Sequence, residues 1–313
     1  MKKIKYFALL SAALLLFFSL FSSVSFASDA QPSDGEQSAD RAPSFEEPER
    51  SGSFFDTFIS IRENGGLVTR SFGEKTAVTF EDGTTGTRYV IPWPQYLLTI
   101  LLCCVVSYLL GSINFGILIS GKMYKDDVRK YGSGNAGMTN VLRVYGKKAA
   151  LLTFLGDVLK SMISALIGIV LAGNGCGYLS LAFCMVGHAF PVFYHFKGGK
   201  AVSSALGGLF VLEPIATLLL LLCFVIIVAF TKYVSLASII SAALIPLFVN
   251  GMWRIGLFHR MASFDYFIVT ICCVFCACFI ILRHRANIKR LLAGEERKTN
   301  LFQRKKKEEK TEE

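Results

Sequence analysis

The sequence contains few charged residues and few histidines, and it lacks the motifs of several common enzyme classes. Charged residues make up 18% of its 313 positions, and there are four histidines. The GxxxxGK[ST] spacing of a Walker A loop is absent, which leaves a P-loop ATPase little support. No Ser–His–Asp or Cys–His arrangement that would activate a nucleophile is evident. The nine cysteines lie in or beside apolar stretches, so we predict that they pack, and we expect no metal or other cofactor.

What the sequence has instead is long apolar blocks separated by short basic loops, with 53% hydrophobic residues overall. A transmembrane helix needs about 20 apolar residues. The blocks therefore predict an all-α polytopic membrane protein with about seven transmembrane helices, some of them short. The net charge of +10 is concentrated beside these blocks, which favours membrane lipids and anionic substrates over nucleic acid as partners.

The chain divides into four parts. Residues 1–27 combine three lysines with an apolar run and a small-residue end, as in a signal peptide or an uncleaved N-terminal span. Residues 28–95 are acidic, and we expect a mostly disordered extracytoplasmic segment in which residues 75–91 can form a hairpin. Residues 96–298 form the membrane-embedded domain, and residues 299–313 form a charged cytoplasmic tail.

Two polar segments with glycine-rich sequences interrupt the apolar blocks. The first, residues 131–143, combines glycines with hydroxyl and amide side chains and ends in Arg143. This composition is typical of a loop whose backbone N–H groups converge on a phosphate. The second, residues 196–208, contains a GGK sequence ending at Lys200, before a run that can begin a helix. Free N–H groups and a partial positive charge at a helix N-terminus favour an anion there.

A third polar segment, residues 283–298, places His284 and Asn287 about one helical turn apart. Seven Lys and Arg residues lie between residues 122 and 148, so the first segment is expected to face the cytoplasm. The apolar blocks that follow return the second and third segments to the same side. Three polar segments on one side of a membrane predict one shared site.

Six short stretches follow one another along the membrane-embedded domain: GSI at 111–113, GSGNAGMTNVLR at 132–143, DVLKS at 157–161, GHAFPVFYHFKGGKAVSSALG at 187–207, YVSLAS at 233–238 and RHRANIKRLLAGEERK at 283–298. Their sequences and their order resemble the PlsY-type acyl-phosphate glycerol-3-phosphate acyltransferases of bacterial membranes. Ala136, Met138 and Ala201 stand where the family usually has proline, alanine and glycine. Losing the glycine at residue 201 limits how closely the backbone can approach a phosphate group.

The resemblance implies transfer of a fatty acyl group from acyl-phosphate to the 1-hydroxyl of glycerol 3-phosphate, giving lysophosphatidate and phosphate in the first acylation of phospholipid synthesis. An acyl-phosphate is already activated, so positioning and charge stabilisation can suffice, and the leaving phosphate can accept the hydroxyl proton. A bacterial plasma-membrane location, an active site facing the cytoplasm, and the acyl-phosphate-forming enzyme as a candidate partner are also implied. The implied catalytic residues are Ser133, Arg143, Lys200, His284 and Asn287, and the substrate-binding residues are Gly132, Gly134, Asn135, Gly137, Thr139, Asn140, Gly198, Gly199, Ser235 and Glu296.

Several alternatives stay open at this point. Acyltransferases that use acyl-CoA commonly carry a histidine followed by four residues and then an aspartate, and none of the four histidines has this partner. Asp157 and Lys160 lie one turn apart in an apolar block and form either an ion pair or a substrate contact. Glu296 either pairs with a cation or contacts substrate. The alternative functions are a transporter or binding protein for an organophosphate, although no two matching halves are visible, and a scaffold without activity.

Overall fold

The computed structural model describes residues 74–79, 85–90, 93–254 and 263–299. The predicted signal segment, most of the predicted disordered segment and the charged tail from residue 300 onwards lie outside these residues. Strand β1 (Glu74–Thr79) pairs antiparallel with strand β2 (Thr85–Val90), with Glu74 opposite Val90. The hairpin predicted for this part of the chain is therefore confirmed.

The rest of the described chain consists of helices and the loops that join them. Five helical stretches in it are long and apolar enough to cross a membrane: Tyr96–Tyr124, Lys147–Tyr194, Pro214–Thr231, Val234–Met252 and Tyr266–Arg283. Short 3-10 helices lie at Val128–Lys130 and Val192–Tyr194. The α-helices among the described residues are α1 (Trp93–Ser112), α2 (Phe115–Tyr124), α3 (Met138–Tyr145), α4 (Lys147–Ala189), α5 (Val202–Leu212), α6 (Pro214–Thr231), α7 (Val234–Arg254), α8 (Ser263–Arg283) and α9 (Arg285–Ala293).

Helix α4 reverses its direction at Ala172 and Gly173, whose φ/ψ angles of −147°/20° and 84°/−176° are not helical. Lys160 Nζ lies 3.0 Å from His188 Nδ1, whereas 28 residues of straight helix would separate them by about 42 Å. The two arms of α4 therefore run antiparallel, and the second arm returns towards the end of the bundle at which the first begins. The predicted total of about seven spans stays a prediction.

The largest apolar core lies between the second arm of α4 and helices α5 to α8. Tyr178, Leu181 and Met185 of α4 pack there against alanine and leucine side chains of α5 and α6. Cys272, Cys273 and Cys276 of α8 are part of the same core. Seven of the nine cysteines are buried, as the sequence predicts for packing residues.

A buried cluster of charged groups ties α4 to the break between α1 and α2. Lys160 Nζ lies 2.9 Å from Asp157 Oδ1, and Asp157 Oδ1 lies 3.4 Å from His188 Nδ1. The same ammonium group donates to Gly111 O at 2.9 Å and to Ile113 O at 2.7 Å. Of the two roles predicted for Asp157 and Lys160, the structure shows the ion pair. The Lys160 ammonium group also provides hydrogen-bond donors to carbonyl groups at the end of α1, which have no partner within the helix.

The three polar segments meet at one end of the helical bundle. Tyr178 Oη donates to Glu213 Oε1 at 3.0 Å, so the corner between α5 and α6 lies beside the reversal of α4. The other ends of α4 and α5 are joined through the second polar segment, because Gly199 N donates to His188 O at 3.1 Å. Helix α8 ends at Arg283, whose guanidinium donates to Gly199 O at 3.0 Å, which brings the third segment to this end.

Candidate active site

A cavity with a volume of about 550 Å³ lies where the three polar segments meet. Its polar end is lined by all three segments, and its apolar end extends between α5, α6 and α7. Twelve of the fifteen site residues predicted from the sequence line this cavity, whereas Gly134, Gly198 and Gly199 do not. The twelve are Gly132, Ser133, Asn135, Gly137, Thr139, Asn140, Arg143, Lys200, Ser235, His284, Asn287 and Glu296.

Four helices begin at the polar end of the cavity: α3, α5, α7 and α9. The N–H groups of a helix's first turn have no partner within the helix, and the helix dipole gives this end a partial positive charge. Backbone groups as well as side chains therefore suit this end of the cavity to anions. The lining residues contributed by the first turns are Met138, Thr139 and Asn140 of α3, Val202, Ser203 and Ala205 of α5, Val234 and Ser235 of α7, and Asn287 of α9.

Asn140 shapes the first polar segment. Its Oδ1 accepts a hydrogen bond from Ser133 N at 2.9 Å, and its Nδ2 donates to Val128 O at 3.1 Å and Tyr131 O at 3.0 Å. Gly132 has φ 62°, and a β-carbon there would overlap the Asn140 side chain. The side-chain amide of Asn140 is thus fully used in hydrogen bonds to the backbone. Asn140 can act on a ligand indirectly, by holding Ser133 in place.

The glycine residues of the second segment face the protein rather than the cavity. Gly198 N donates to Ala189 O at 3.2 Å, and Gly199 N donates to His188 O. A β-carbon on Gly199 would overlap the imidazole ring of His188. In this structure the two amides are bonded to the backbone, so the N–H groups facing the cavity belong to the first turn of α5, which begins at Val202.

Ala201 precedes α5 and has a left-handed backbone, with φ 62° and ψ 15°. It is completely buried. The left-handed region costs an L-residue with a β-carbon roughly 1–2 kcal/mol, which explains physically why the family resemblance places a glycine here. The alanine keeps the same turn at the cost of local strain.

Lys200 is the centre of a hydrogen-bond network that joins the second and third segments. Its Nζ donates to Asn287 Oδ1, and Asn287 Nδ2 donates to Glu296 Oε1 at 2.6 Å. Ser235 Oγ donates to the same Glu296 oxygen at 2.8 Å, and Arg290 Nε donates to Glu296 Oε2 at 2.8 Å. Glu296 therefore shows the cation pairing that was one of its two predicted roles.

Burial shifts the protonation of Lys200 and His284. It lowers the pKa of Lys200 to about 8, against the opposing effect of the Glu296 carboxylate. Burial, and after it the charge of Lys200, lowers the pKa of His284 to about 4, so this imidazole is neutral near pH 7. His284 Nδ1 lies 2.8 Å from Ile280 O, which assigns the ring proton to Nδ1 and leaves Nε2 as an acceptor.

Four cationic side chains line the cavity: Arg143, Lys200, Arg290 and Arg297. Among the lining residues of the described chain, Glu296 is the only acid. Burial lowers the pKa of Arg143, and the nearby charge of Arg297 lowers it further. Several cations close together without matching acids are stabilised when a multiply charged anion lies between them, so the arrangement suits phosphate groups.

Two of these cations, Arg290 and Arg297, were not predicted from the sequence. Arg290 follows Asn287 by three residues on α9, so helical periodicity places the two on one face and could have indicated it. Arg297 follows Glu296 directly, but residues 295–299 are not helical, and no periodic signal points to it.

Comparisons with known proteins identify relatives of the chain. A family model described as glycerol-3-phosphate acyltransferase matches residues 101–294. The chain is 40% identical over 205 residues to the glycerol-3-phosphate acyltransferase of Clostridioides difficile (strain 630), covering 63% of this chain and 94% of the relative. It is 41% identical over 212 residues to that of Finegoldia magna (strain ATCC 29328 / DSM 20472 / WAL 2508), covering 65% of this chain and 98% of the relative.

Two solved structures are similar to the chain. Both are crystal structures of PlsY (YgiH), described as an integral membrane glycerol 3-phosphate acyltransferase. The glycerol 3-phosphate form is 38% identical, with a TM-score of 0.57, and the similarity covers 65% of this chain and 99% of that one. The lysophosphatidic acid form is 35% identical, with a TM-score of 0.55, covering 64% of this chain and 95% of that one.

Proposed function

The chain belongs to the glycerol-3-phosphate acyltransferase family, and we propose that it uses an acyl-phosphate to acylate the sn-1 hydroxyl of glycerol 3-phosphate. The products are lysophosphatidate and inorganic phosphate, and the reaction is the first acylation of phospholipid synthesis. The PlsY relative of known structure has been crystallised in a glycerol 3-phosphate form and a lysophosphatidic acid form, which supports glycerol 3-phosphate as acceptor.

The observation that carries this proposal is that the cavity has two chemically different ends. The polar end has four cations and four helix N-termini, enough to balance the charge of two phosphate groups. The apolar end suits a hydrocarbon chain, because transfer of such a chain from water to an apolar groove is favourable by about 0.8 kcal/mol per CH₂. Side chains at this end are Leu206, Leu209, Leu220, Leu221, Phe224, Val225, Ala242 and Ile245.

In this proposal Ser133, Arg143 and Lys200 hold the phosphate groups, together with backbone N–H groups at the starts of α3 and α5. Asn287 and Ser235 orient glycerol 3-phosphate so that its sn-1 oxygen reaches the carbonyl carbon of the acyl-phosphate. The new ester bond forms as the bond between the carbonyl carbon and the phosphate oxygen breaks. Holding both reactants in line reduces the entropy cost of bringing them together in the transition state. The cations stabilise the charge that develops on the leaving phosphate.

The hydroxyl proton goes to the leaving phosphate rather than to a protein base. His284 has the position of a base, but its pKa of about 4 makes it a weak one near neutral pH. The acyl-phosphate dianion would leave as a strongly basic trianion, so the departing phosphate is the better proton acceptor and is released as hydrogen phosphate. His284 Nε2 instead accepts a hydrogen bond from the other hydroxyl group of glycerol 3-phosphate and so orients the acceptor.

We further propose that the domain has seven membrane-embedded segments: α1, the two arms of α4, the short α5, and α6, α7 and α8. Their alternation supports a common side for the three polar segments. The basic loop between residues 122 and 148 favours the cytoplasmic side of the plasma membrane. A soluble enzyme that forms acyl-phosphate is then a candidate partner at this face.

A donor assay tests the reaction. Purified protein in detergent is given glycerol 3-phosphate with either palmitoyl-phosphate or palmitoyl-CoA, and the product is identified by mass spectrometry and its acyl position by NMR. We expect 1-acyl lysophosphatidate from the acyl-phosphate and no product from the thioester, because the polar end is suited to phosphate. Equal rates with both donors would refute the proposed mechanism.

A labelling experiment tests the orientation. Single cysteines at residues 133, 200, 235 and 284 in a cysteine-free background should react only after the inner side of the membrane is made accessible. A cysteine at residue 66, in the segment proposed to lie outside, should react in intact cells. Outside labelling at any one of the first four positions would contradict a shared cytoplasmic site.

A further inference from the structure

The loop that carries Lys200 spans residues 190–201 and is called the Lys200 loop below. It contains two consecutive residues in an intrinsically unfavourable backbone conformation. His195 and Phe196 are consecutive left-handed residues, with φ 56° and 57°. Each costs roughly 1–2 kcal/mol for a residue with a β-carbon. Such a conformation persists when the surrounding structure holds it, so the contacts around these two residues are informative.

Arg129 holds the two carbonyl groups that flank this left-handed pair. Its Nη1 donates to Tyr194 O at 3.0 Å and to Lys197 O at 2.9 Å. The turn through His195 and Phe196 directs both carbonyls towards one nitrogen atom. A guanidinium group can satisfy two acceptors in this way because its N–H donors lie in a fixed plane.

Asp127 fixes the orientation of the Arg129 side chain. Its carboxylate accepts hydrogen bonds from Arg129 Nε at 3.0 Å and from Nη2 at 2.7 Å, and it also accepts one from Arg129 N at 2.9 Å. The N–H groups of the guanidinium are thus occupied, those of Nε and Nη2 by the carboxylate and those of Nη1 by the Lys200 loop. A flexible ammonium group has no equivalent of this arrangement.

The residue beside Arg129 continues the chain of contacts to the first polar segment. Val128 O accepts a hydrogen bond from Asn140 Nδ2 at 3.1 Å, and Asn140 Oδ1 in turn accepts from Ser133 N. A continuous path of hydrogen bonds and short backbone steps therefore joins Ser133 to the Lys200 loop. Neither Arg129 nor Asp127 is among the residues that line the cavity.

We propose that Arg129 is a positioning residue that sets the distance between Ser133 and Lys200 without touching substrate. The carboxylate of Asp127 orients it, and it acts through the backbone of the Lys200 loop. The inference rests on the proposed function for its kinetic consequence, but its structural consequence, a constrained loop at residues 190–201, can be measured separately.

The kinetic test compares Arg129→Lys with Lys130→Gln. Lys130 belongs to the same 3-10 helix, has a side chain 69% exposed, and lies 3.6 Å from Asp126, so it controls for loss of a neighbouring charge. We expect Arg129→Lys to lower kcat/KM for glycerol 3-phosphate about tenfold, mainly through KM, and Lys130→Gln to leave both constants unchanged. Unchanged constants in Arg129→Lys, or a loss of activity that only follows the amount of folded protein, would overturn the proposal.

The structural test measures the rate at which trypsin cleaves after Lys197 in detergent-solubilised protein. In the wild type Lys197 O is bound by Arg129 and Gly198 N by Ala189 O, so this bond should resist cleavage despite the exposure of Lys197. Arg129→Lys should increase the rate at least severalfold, and Lys130→Gln should not. An unchanged rate would refute the role of Arg129 in the loop, whereas inactive wild-type protein would refute only the proposed reaction.

Discussion

Raising the pH above 8 should remove the positive charge of Lys200 and with it most of the acyl transfer. Burial lowers the pKa of this ammonium group to about 8, from an ordinary value of 10.5. The group is cationic below that pH and neutral above it. At pH 9 about one tenth of the free enzyme would keep the Lys200 proton, so kcat/KM should be about tenfold lower than at pH 7.5.

Activity should fall at high pH along an alkaline limb of the pH profile, and bound substrate should shift the pH of this limb in a predictable direction. A phosphate dianion beside Lys200 favours the charged form and raises its pKa. The pH limb in kcat, which reports the enzyme–substrate complex, should therefore lie above the limb in kcat/KM. The assay is initial-rate phosphate release between pH 7 and 10, corrected at each pH for spontaneous hydrolysis of the acyl-phosphate.

Lys200→Arg provides the control for this assignment, because a guanidinium group does not lose its proton in this range. Whatever activity the variant retains should show no limb near pH 8. A flat profile up to pH 9.5 in the wild type, or a limb that persists in Lys200→Arg, would show that Lys200 is not the titrating group.

Two further predictions concern the two ends of the cavity. Arg143→Lys keeps the charge but loses the planar pair of donors that can hold two phosphate oxygens. Activity per folded protein should therefore fall ~10-fold or more in this variant, and Arg143→Ala should lose more. Full activity in the lysine variant would remove Arg143 from the mechanism. Ala242, which is 2% exposed and lines the apolar end, should limit the length of the acyl chain. Ala242→Phe should reduce turnover of a 16-carbon donor at least tenfold relative to a 10-carbon donor, and an equal effect on both donors would contradict an acyl groove at this position.

The sequence could predict which segments share the site, because apolar blocks alternate with charged loops along the chain. Each block and each loop can be recognised from its own residues. The sequence also placed Lys200, His284 and Asn287 in one cavity, since the order of motifs fixes which helix ends meet. Compact glycine sequences were harder to interpret. The same composition suits an amide that binds phosphate and an amide that bonds to a neighbouring carbonyl, as Gly198 and Gly199 do here.

The contacts that hold the segments together could not be predicted from local pattern. Arg129 contacts the backbone 65 and 68 residues further along the chain, and its sequence setting in a basic loop suggests only a topological signal. His188 similarly occupies the space beside Gly199, a steric relation that depends on the fold. Such long-range contacts to backbone atoms leave no periodic trace in the sequence.

The hydrogen bonds of Glu296 have a consequence for product release. Its carboxylate already accepts hydrogen bonds from Ser235, Asn287 and Arg290. In the proposed reaction an incoming phosphate would therefore compete with an anion that is covalently part of the protein. Binding is then an exchange of one anion for another, and its free energy is the difference between two favourable interactions. When the ester has formed, the carboxylate can return to its donors as the phosphate departs, which favours rapid turnover over tight retention of either product.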